Sequence, residues 1–438
     1  MLVFSKEKSF FNLIKRKFFP FHKSKEVKKI FSILSQGSEN KQAAMFVGGC
    51  VRKYLSNEKI DDIDIATVYT PHQVIEKFKN SNIEVKKTGI DHGTLTLVLN
   101  NRNFEITTLR EDISTDGRHA NVSFTDNWEK DSKRRDFTIN AIYLNQKGKV
   151  FDPQLGVKDL KKKEIKFIGD PQQRIKEDYL RILRYIRFSI QYEDFKEDSA
   201  ALKAIQLNLN GITELSKERV YSELEKILKL KNFEDIFKSQ MLLDIFRLIF
   251  PEFKYLERAK NFTKIRSLKQ INLQKDIILA SLLIDSSNNH EYFSHKHHVS
   301  NEIKNILNFY AKCLKLINQN QNFFEKDLRK NIFYHGKEKI KLVFLLYSII
   351  NDKIEPSKLA TFISKVDGML IQKFPISGDY LKKHGYKTGK ILGKKLKSLE
   401  EKWIGAMILG AKSITKKLNF LLNIVQKIYT EKIIFTIY

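Results

Sequence analysis

The sequence predicts an α+β protein, with a small mixed sheet near the N-terminus and helices over the rest of the chain. Strand patterns are concentrated before about residue 151, and helical periodicity dominates afterwards, as over residues 220–230 and 303–316. At 438 residues the chain exceeds one comfortable hydrophobic core, so several domains are expected. Because only 7 prolines and 18 glycines are present, little of the chain is available for long flexible linkers.

The N-terminal residues are basic and rich in phenylalanine, but charges interrupt every apolar run, which excludes a secretory signal. A helix packed on the sheet domain is expected there. The longest apolar stretch, residues 342–350, is too short to cross a bilayer, which takes about 20 residues. The two cysteines, Cys50 and Cys313, fall in different predicted domains and favour a reducing compartment. A soluble, cytoplasmic protein that does not bind a membrane is expected.

The net charge indicates a polyanionic partner. Lys and Arg number 79 against 51 Asp and Glu, a formal charge of +28. RNA is the natural partner for such a chain. An AT-biased, lysine-rich coding sequence would raise the charge in the same way, and charge alone justifies only nonspecific, salt-sensitive binding of phosphates.

Residues 46–52 join a short apolar strand to a helix through Gly48 and Gly49. Such a turn lets backbone amides approach a phosphate, and Arg52 would face the same group. About ten residues later, Asp62 and Asp64 alternate within a predicted strand, so their carboxylates share one face. Two carboxylates together with substrate phosphates suit Mg²⁺. An exposed acidic strand end is the alternative.

Residues 93–100 and 103–108 alternate like paired strands, which places Glu105 on a strand beside the aspartates. It is a candidate third carboxylate, although a sheet-face glutamate paired with a lysine is an equal alternative. Residues 110–128 are polar and irregular, which predicts a flexible loop. After that loop, Arg135 and Asp136 precede the last strand of the sheet domain; arginine suits a phosphate and aspartate a ribose hydroxyl.

The segment EDYLRILRYIRF, residues 177–188, has the spacing of an amphipathic helix with Asp178, Arg181 and Arg184 on one face. A carboxylate beside a guanidinium can meet the amine donor and ring-nitrogen acceptor that cytosine and adenine both present. Guanine and uracil would place a carbonyl against the carboxylate. Ordinary ion pairing along a helix is the alternative for this segment alone.

These motifs, in this order, resemble those of the class II tRNA nucleotidyltransferase and bacterial poly(A) polymerase family. The resemblance covers residues 46–188 through GGCVR, DDIDIAT, RRDFTINA and EDYLRILRYIRF, and weakens to pattern level at residues 215–219 and 378–381. It implies a polymerase-beta-type nucleotidyltransferase head followed by helical neck, body and tail domains. With a basic extension at the N-terminus, the expected division is 1–31, 32–150, 151–232, 233–355 and 356–438.

By this resemblance, Asp62 and Asp64 are catalytic and hold Mg²⁺, and Gly49 and Arg52 meet the triphosphate. Asp136 is expected at the ribose and Arg135 in the nucleotide pocket. Base reading is implied for Asp178 and Arg181, with support from Glu177, while Arg184 and Arg187 complete the pocket. One departure from the family pattern is Lys53, which stands where an aspartate usually follows the arginine; altered support of the turn, with the chemistry retained, is expected.

The resemblance implies template-independent addition of CCA to the 3′ end of tRNA from CTP and ATP by two-metal phosphoryl transfer. Residues 88–94 resemble the tRNA branch, not the poly(A) branch. A poly(A) polymerase, or a partial enzyme adding only C or only A, remains an alternative. A catalytically inactive RNA-binding protein is disfavoured because both aspartates are present. No obligate protein partner is predicted.

Overall fold

The computed structural model describes residues 20–37, 42–115, 120–192, 198–268, 273–320, 322–383 and 385–408. The chain divides into two compact units, Met1–Pro251 and Glu252–Tyr438. Strands occur in the first unit, and the described residues of the second unit form only helices and their connections. The α+β class is therefore confirmed. The finer division at residues 31, 150, 232 and 355 stays a prediction.

The first unit is built on a seven-stranded mixed sheet with the strand order β3-β4-β5-β2-β1-β8-β9. Strand β2 pairs in parallel with β5 and antiparallel with β1, so it lies at the centre of the sheet. The strands of this sheet are β1 Ala44–Val47, β2 Asp64–Thr67, β3 Glu84–Gly89, β4 Thr94–Leu99, β5 Arg102–Thr108, β8 Tyr143–Leu144 and β9 Val150–Phe151.

The sheet forms because its strands carry apolar side chains at the right period. In β4, Leu95, Leu97 and Leu99 are buried while the intervening residues are partly exposed, which is the alternation expected of a strand with one covered face. In β1, which lies beside β2, every residue is buried. This packing fixes the ends of β1 and β2, where the site residues lie.

The predicted irregular loop at residues 110–128 is wrong. Strands β6 Arg110–Thr115 and β7 Ala120–Phe124 form a separate antiparallel hairpin, and a helix begins at Trp128. The ladder of backbone hydrogen bonds forms although the residues are polar, because backbone pairing needs no apolar side chains. The tip, residues 116–119, lies outside the described residues.

The expected N-terminal helix is found at α1, Lys25–Ser35. Ser24 caps it by accepting a hydrogen bond from the Val27 backbone amide at 3.3 Å. Its apolar face is buried, and the rings of Phe31 and Phe46 lie 4.7 Å apart, which attaches the helix to β1. Residues 1–19 lie outside the described residues.

The other helices of the first unit are α2 Gly49–Leu55, α3 Pro71–Phe78, α4 Trp128–Lys133, α5 Gly156–Lys162, α6 Pro171–Glu177, α7 Leu180–Gln191, α8 Ser199–Leu207, α9 Lys217–Leu228 and α10 Gln240–Ile249. The second unit contains α11 Phe262–Arg266, α12 Lys275–Leu283, α13 Asn289–Lys296, α14 Asn301–Gln319, α15 Leu328–His335, α16 Lys337–Ile350, α17 Pro356–Gly368, α18 Gly378–Lys383 and α19 Lys390–Ile408. Within the described ranges, none of these helices is both long enough and apolar enough to cross a bilayer.

Candidate active site

The glycine turn between β1 and α2 lies directly over an aspartate carboxylate. Gly48 has a φ of +71°, a conformation that favours glycine. A Cβ atom added at Gly48 would lie 3.7 Å from Oδ2 of Asp64, and one added at Gly49 would lie 3.9 Å from the same atom. The two glycines therefore keep the space beside this carboxylate free of side chains.

The sheet brings a second carboxylate beside Asp64. In the parallel pairing of β2 and β5, Asp64 is the register partner of Glu105. Burial raises the pKa of Asp64 to about 6; the charges of Glu105 and Asp62 act in the same direction, and those of Arg135 and Arg52 oppose it. The strand predicted over residues 62–65 is shorter than expected, because β2 begins at Asp64 and Asp62 is exposed ahead of it.

The donor set fits a hard divalent cation. Carboxylate oxygens are the protein ligands that Mg²⁺ accepts, and the open space at Gly48 and Gly49 leaves room for water or phosphate ligands. In the part of the chain that the structure describes, no group of three or more His, Cys, Asp or Glu side chains forms a ready metal site. A metal here would therefore complete its shell with water and substrate oxygens.

Arg52 extends from α2 toward the helix α7. It is buried, donates a hydrogen bond to Oδ1 of Asn140, and its guanidinium carbon lies 4.5 Å from the centre of the Phe188 ring. The neighbouring Lys53 points elsewhere and pairs with Asp61 at 3.3 Å. The lysine at the usual aspartate position has therefore not displaced Arg52 from the site.

Asp136 is buried and held by several donors. Its Oδ1 accepts from the Asn140 side chain at 3.0 Å and from the Phe137 backbone amide at 2.9 Å, while its Oδ2 accepts from Nε of Arg184 at 2.6 Å. Burial opposes ionisation, but the charge of Arg184 and the hydrogen bond from Asn140 outweigh it and hold the pKa of Asp136 well below its usual range. A ribose contact by Asp136 would share this carboxylate with Arg184.

Arg135 is fixed by an aspartate that the sequence reasoning missed. Asp131, on α4, pairs with Nη2 of Arg135 at 2.9 Å and with Nε of Arg134 at 2.8 Å, and it accepts from the Tyr143 hydroxyl at 2.7 Å. The spacing of three and four residues between Asp131 and the arginines is the signal that could have identified it. Burial works against the charged form, yet the two guanidinium groups hold the pKa of Asp131 far below its usual range.

The prediction that Asp178, Arg181 and Arg184 share one helix face is wrong for Asp178. Helix α6 ends at Glu177, α7 begins at Leu180, and Asp178 between them is extended, with φ −157° and ψ 104°. The extended backbone at Asp178 lets its side chain satisfy a backbone amide at the start of α7, because Oδ1 of Asp178 accepts a hydrogen bond from the Leu180 amide at 3.1 Å.

Asp178 and Arg181 consequently have different partners from those expected. Both carboxylate oxygens of Asp178 lie 3.0 Å from Nη2 of Arg219 on α9. Nη1 of Arg181 donates to Oε2 of Glu177 at 2.7 Å and to the Arg174 carbonyl at 2.6 Å. The predicted supporting role of Glu177 thus has a direct contact, and Arg219 is a further member of the site.

Two more arginines, Arg174 and Arg187, attach the helices of the site to their surroundings. Nη2 of Arg174 donates to the Arg134 carbonyl at 2.5 Å and to the Arg135 carbonyl at 2.7 Å, which joins α6 to the segment after α4. Nε of Arg187 donates to Oε1 of Glu223 at 2.5 Å, which joins α7 to α9. These hydrogen bonds hold together segments that are distant in sequence.

Comparisons with known proteins agree with this architecture. Residues 44–166 match the Poly A polymerase head domain, and residues 194–256 match the probable RNA and SrmB- binding site of polymerase A. The chain is 35% identical over 372 residues to the mitochondrial CCA tRNA nucleotidyltransferase 1 of Homo sapiens, covering 81% of each chain. It is 31% identical over 390 residues to the CCA-adding enzyme of Streptococcus pyogenes serotype M5, covering 86% of this chain and 92% of that protein.

Solved structures share the fold. The Bacillus stearothermophilus CCA-adding enzyme in complex with CTP superposes with a TM-score of 0.70 at 22% identity, over 93% of this chain and 100% of that chain. The Thermotoga maritima CCA-adding enzyme complexed with tRNA gives a TM-score of 0.59 at 20% identity, over 95% and 98%.

The mixed sheet, the glycine turn over Asp64 and the helical remainder define a nucleotidyltransferase. At 31–35% identity over more than four fifths of its length, the chain belongs to the CCA tRNA nucleotidyltransferase family.

Proposed function

We propose that this protein adds CCA to the 3′ end of tRNA, using CTP and ATP without a nucleic-acid template. The observation that carries the proposal is the juxtaposition of the Asp64 carboxylate with an open glycine turn on one side and Glu105 on the other. This arrangement offers negative oxygen atoms, and room for phosphates, at the end of a rigid central strand.

At the reacting end, Asp62 and Asp64 would hold Mg²⁺, while the turn at Gly49 and the guanidinium of Arg52 would receive the triphosphate. When bound, the metal would supply Lewis-acid activation of the RNA 3′-hydroxyl and stabilisation of the pyrophosphate leaving group. The protein contributes position: Asp64 is fixed by pairing on both sides of β2, and Arg52 is fixed by Asn140 and the Phe188 ring. Held so, these groups align the hydroxyl and the α-phosphate without a covalent enzyme intermediate.

At the other end, Asp178 and Arg181 would read the base and Asp136 would meet the ribose, with Arg135 and Glu177 around them. Arg184 and Arg187 would complete the nucleotide pocket on the side of Arg52, which contacts the same Phe188 ring. Oδ1 of Asp178 already accepts from the Leu180 amide and from Nη2 of Arg219. Among the described contacts, Oδ2 accepts only from the same Nη2 atom. Oδ2 therefore retains acceptor capacity for the exocyclic amine that cytosine and adenine share. Glu177 holds Arg181 so that its remaining N–H groups can reach the ring nitrogen.

Incorporation of labelled CTP and ATP into tRNA that lacks CCA tests this function. The wild type with Mg²⁺ should incorporate both nucleotides, and D64N or added EDTA should abolish incorporation while the fold is retained. Activity of D64N equal to that of the wild type would remove the carboxylate from the mechanism. Complete inactivity of the wild type on tRNA would favour a protein that only binds RNA.

We also propose that the protein works in the cytoplasm, which agrees with the free, buried state of Cys50 and Cys313. Three of the relatives in animals are named as mitochondrial enzymes, so fractionation of the source cells decides the compartment. We propose further that it needs no obligate protein partner, which activity of the purified chain would verify.

A further inference from the structure

Three arginine side chains surround the buried ring of Phe188 on α7. The guanidinium carbon of Arg187 lies 4.1 Å from the ring centre, that of Arg52 lies 4.5 Å away, and that of Arg184 lies 5.8 Å away. All three distances fall within the range of cation–π attraction, about 6 Å. The ring thus contacts one arginine from α2 and two from its own helix.

Each of these guanidinium groups also donates a hydrogen bond to a side-chain oxygen, and the three acceptors differ. Arg184 pairs with the carboxylate of Asp136, and Arg187 pairs with the carboxylate of Glu223. Arg52 donates instead to the neutral side-chain oxygen of Asn140. Phe188 is therefore the side chain that all three arginines contact. The hydrogen bond from Arg52 goes to a neutral oxygen, so it does not neutralise the positive charge of Arg52.

Three guanidinium charges meet at this ring, and the carboxylates of Asp136 and Glu223 pair with only two of them in the hydrogen bonds described above, which favours a further anion at this place. Burial lowers the pKa of Arg187, and the nearby charges of Arg184 and Arg52 lower it further, against the opposing effect of Glu223. The negative face of an aromatic ring offsets part of this repulsion, which an aliphatic side chain of equal volume cannot do. The ring orientation is itself held, because Phe137 meets Phe188 edge-on at 5.5 Å and 80°.

We propose that Phe188 is a positioning residue for nucleotide binding, whose ring holds the guanidinium planes of Arg52, Arg184 and Arg187 so that their N–H groups converge on the triphosphate. The proposal rests on the function proposed above. It concerns phosphates, which CTP and ATP share, so its effect is the same for both nucleotides. Phe188 touches the arginines and not the reacting atoms, so it acts on binding and leaves the chemical step unchanged.

The test replaces the ring and measures KM and kcat separately. F188L and F188M fill similar volume without a π-face, and each should raise KM for CTP and for ATP by about tenfold with kcat within about twofold of wild type. F188Y retains the ring and should keep both parameters within about twofold. Equilibrium binding of CTP, measured by calorimetry, should weaken in F188L and F188M by the same factor as KM rises.

A matched control is F78L, which removes a buried ring from α3. Among the contacts of the described residues, no guanidinium group lies over this ring. F78L should lower the melting temperature as F188L does and leave KM unchanged. Equal KM values in F188L, F188M and the wild type would overturn the proposal, as would equal impairment of F188Y and F188L, which marks a packing role only. If F188L does not fold, the KM of F188M tests the proposal in its place. An inactive wild type would refute the proposed function instead.

Discussion

Asp64 and Glu105 are register partners in the parallel pairing of β2 with β5. The glycines of the neighbouring turn place no side chain against the Asp64 carboxylate. Burial raises the pKa of Asp64 to about 6, and the charge of Glu105 adds to this effect. Neighbouring carboxylates repel each other unless a cation lies between them. The pairing places Glu105 beside Asp64, and we therefore predict that Glu105 takes part in metal binding.

The first prediction concerns Glu105. E105Q should raise the Mg²⁺ concentration required for half-maximal activity by about tenfold, because it removes one negative charge beside Asp64 while keeping the size of the side chain. A Mg²⁺ titration of activity measures this. The matched control is E84Q, an exposed glutamate on β3, which should leave the titration unchanged. An unaltered Mg²⁺ requirement in E105Q would mark Glu105 as an ordinary sheet-face residue.

The second prediction concerns Arg219, whose guanidinium spans both oxygens of Asp178. R219A should free the Asp178 side chain to rotate, so that kcat/KM for CTP and ATP falls and misincorporation of UTP and GTP rises, each by about tenfold. Competition assays with all four nucleotides would show this. R247A, which removes an exposed arginine from α10, should behave as wild type.

If R219A instead binds CTP and ATP more tightly, Arg219 competes with the base for Asp178. That result would contradict the supporting role given to it here. Equal selectivity of R219A and the wild type would separate base choice from Asp178 altogether.

The third prediction concerns the pH dependence of stability at Asp131. The folded-state pKa of Asp131 is depressed by Arg135 and Arg134, so its stabilisation is complete above the unfolded value of about 3.9 and is lost as pH falls below it. D131N should lower the free energy of unfolding at pH 7 by about 3 kcal/mol, because it leaves buried guanidinium charge unpaired.

Urea denaturation at pH 7 and at about pH 2.5, well below the unfolded pKa, measures the difference in unfolding free energy between D131N and the wild type, which should narrow at the lower pH. D244N, at an exposed aspartate, should change stability by less than about 1 kcal/mol at both. A gap of constant size would mean that the carboxylate charge of Asp131 is not the stabilising feature.

The fourth prediction concerns Lys53, the departure from the family pattern. Its ion pair with Asp61 is partly exposed, and such pairs contribute about 0–1 kcal/mol. K53A should therefore retain activity within about twofold and shift the melting temperature by only a few degrees. R52A, which removes the neighbour in the site, should raise KM for both nucleotides strongly. A large loss of activity in K53A would show that the lysine supports the turn directly.

The sequence was sufficient to predict the sheet, the helical remainder and the position of Asp64 on a strand after the glycine turn, because these depend on local period and spacing. The catalytic role of Asp62 and Asp64 stays a prediction. Partners from distant segments could not be predicted. Arg219 meets Asp178 across 41 residues, and Arg184 meets Asp136 across 48. The prediction of a continuous helix over residues 177–188 was wrong for a local reason. The spacing of side chains does not reveal the backbone conformation, which is extended at Asp178.

The hairpin of β6 and β7 was missed for a related reason. Its residues are polar, and hydrophobic alternation is the signal by which strands are recognised. The contacts of Phe188 were equally hidden, since an aromatic residue at that spacing predicts only core packing. The contact with Arg52 is recognisable only once α2 and α7 lie side by side.

The most direct test of the whole account is to sequence the 3′ ends of tRNA lacking CCA after incubation with the protein and Mg²⁺, supplying CTP alone, ATP alone, or both. The account predicts two Cs with CTP alone, no addition with ATP alone, and CCA followed by a stop with both. Long A tails, or single-nucleotide products when both substrates are present, would contradict it.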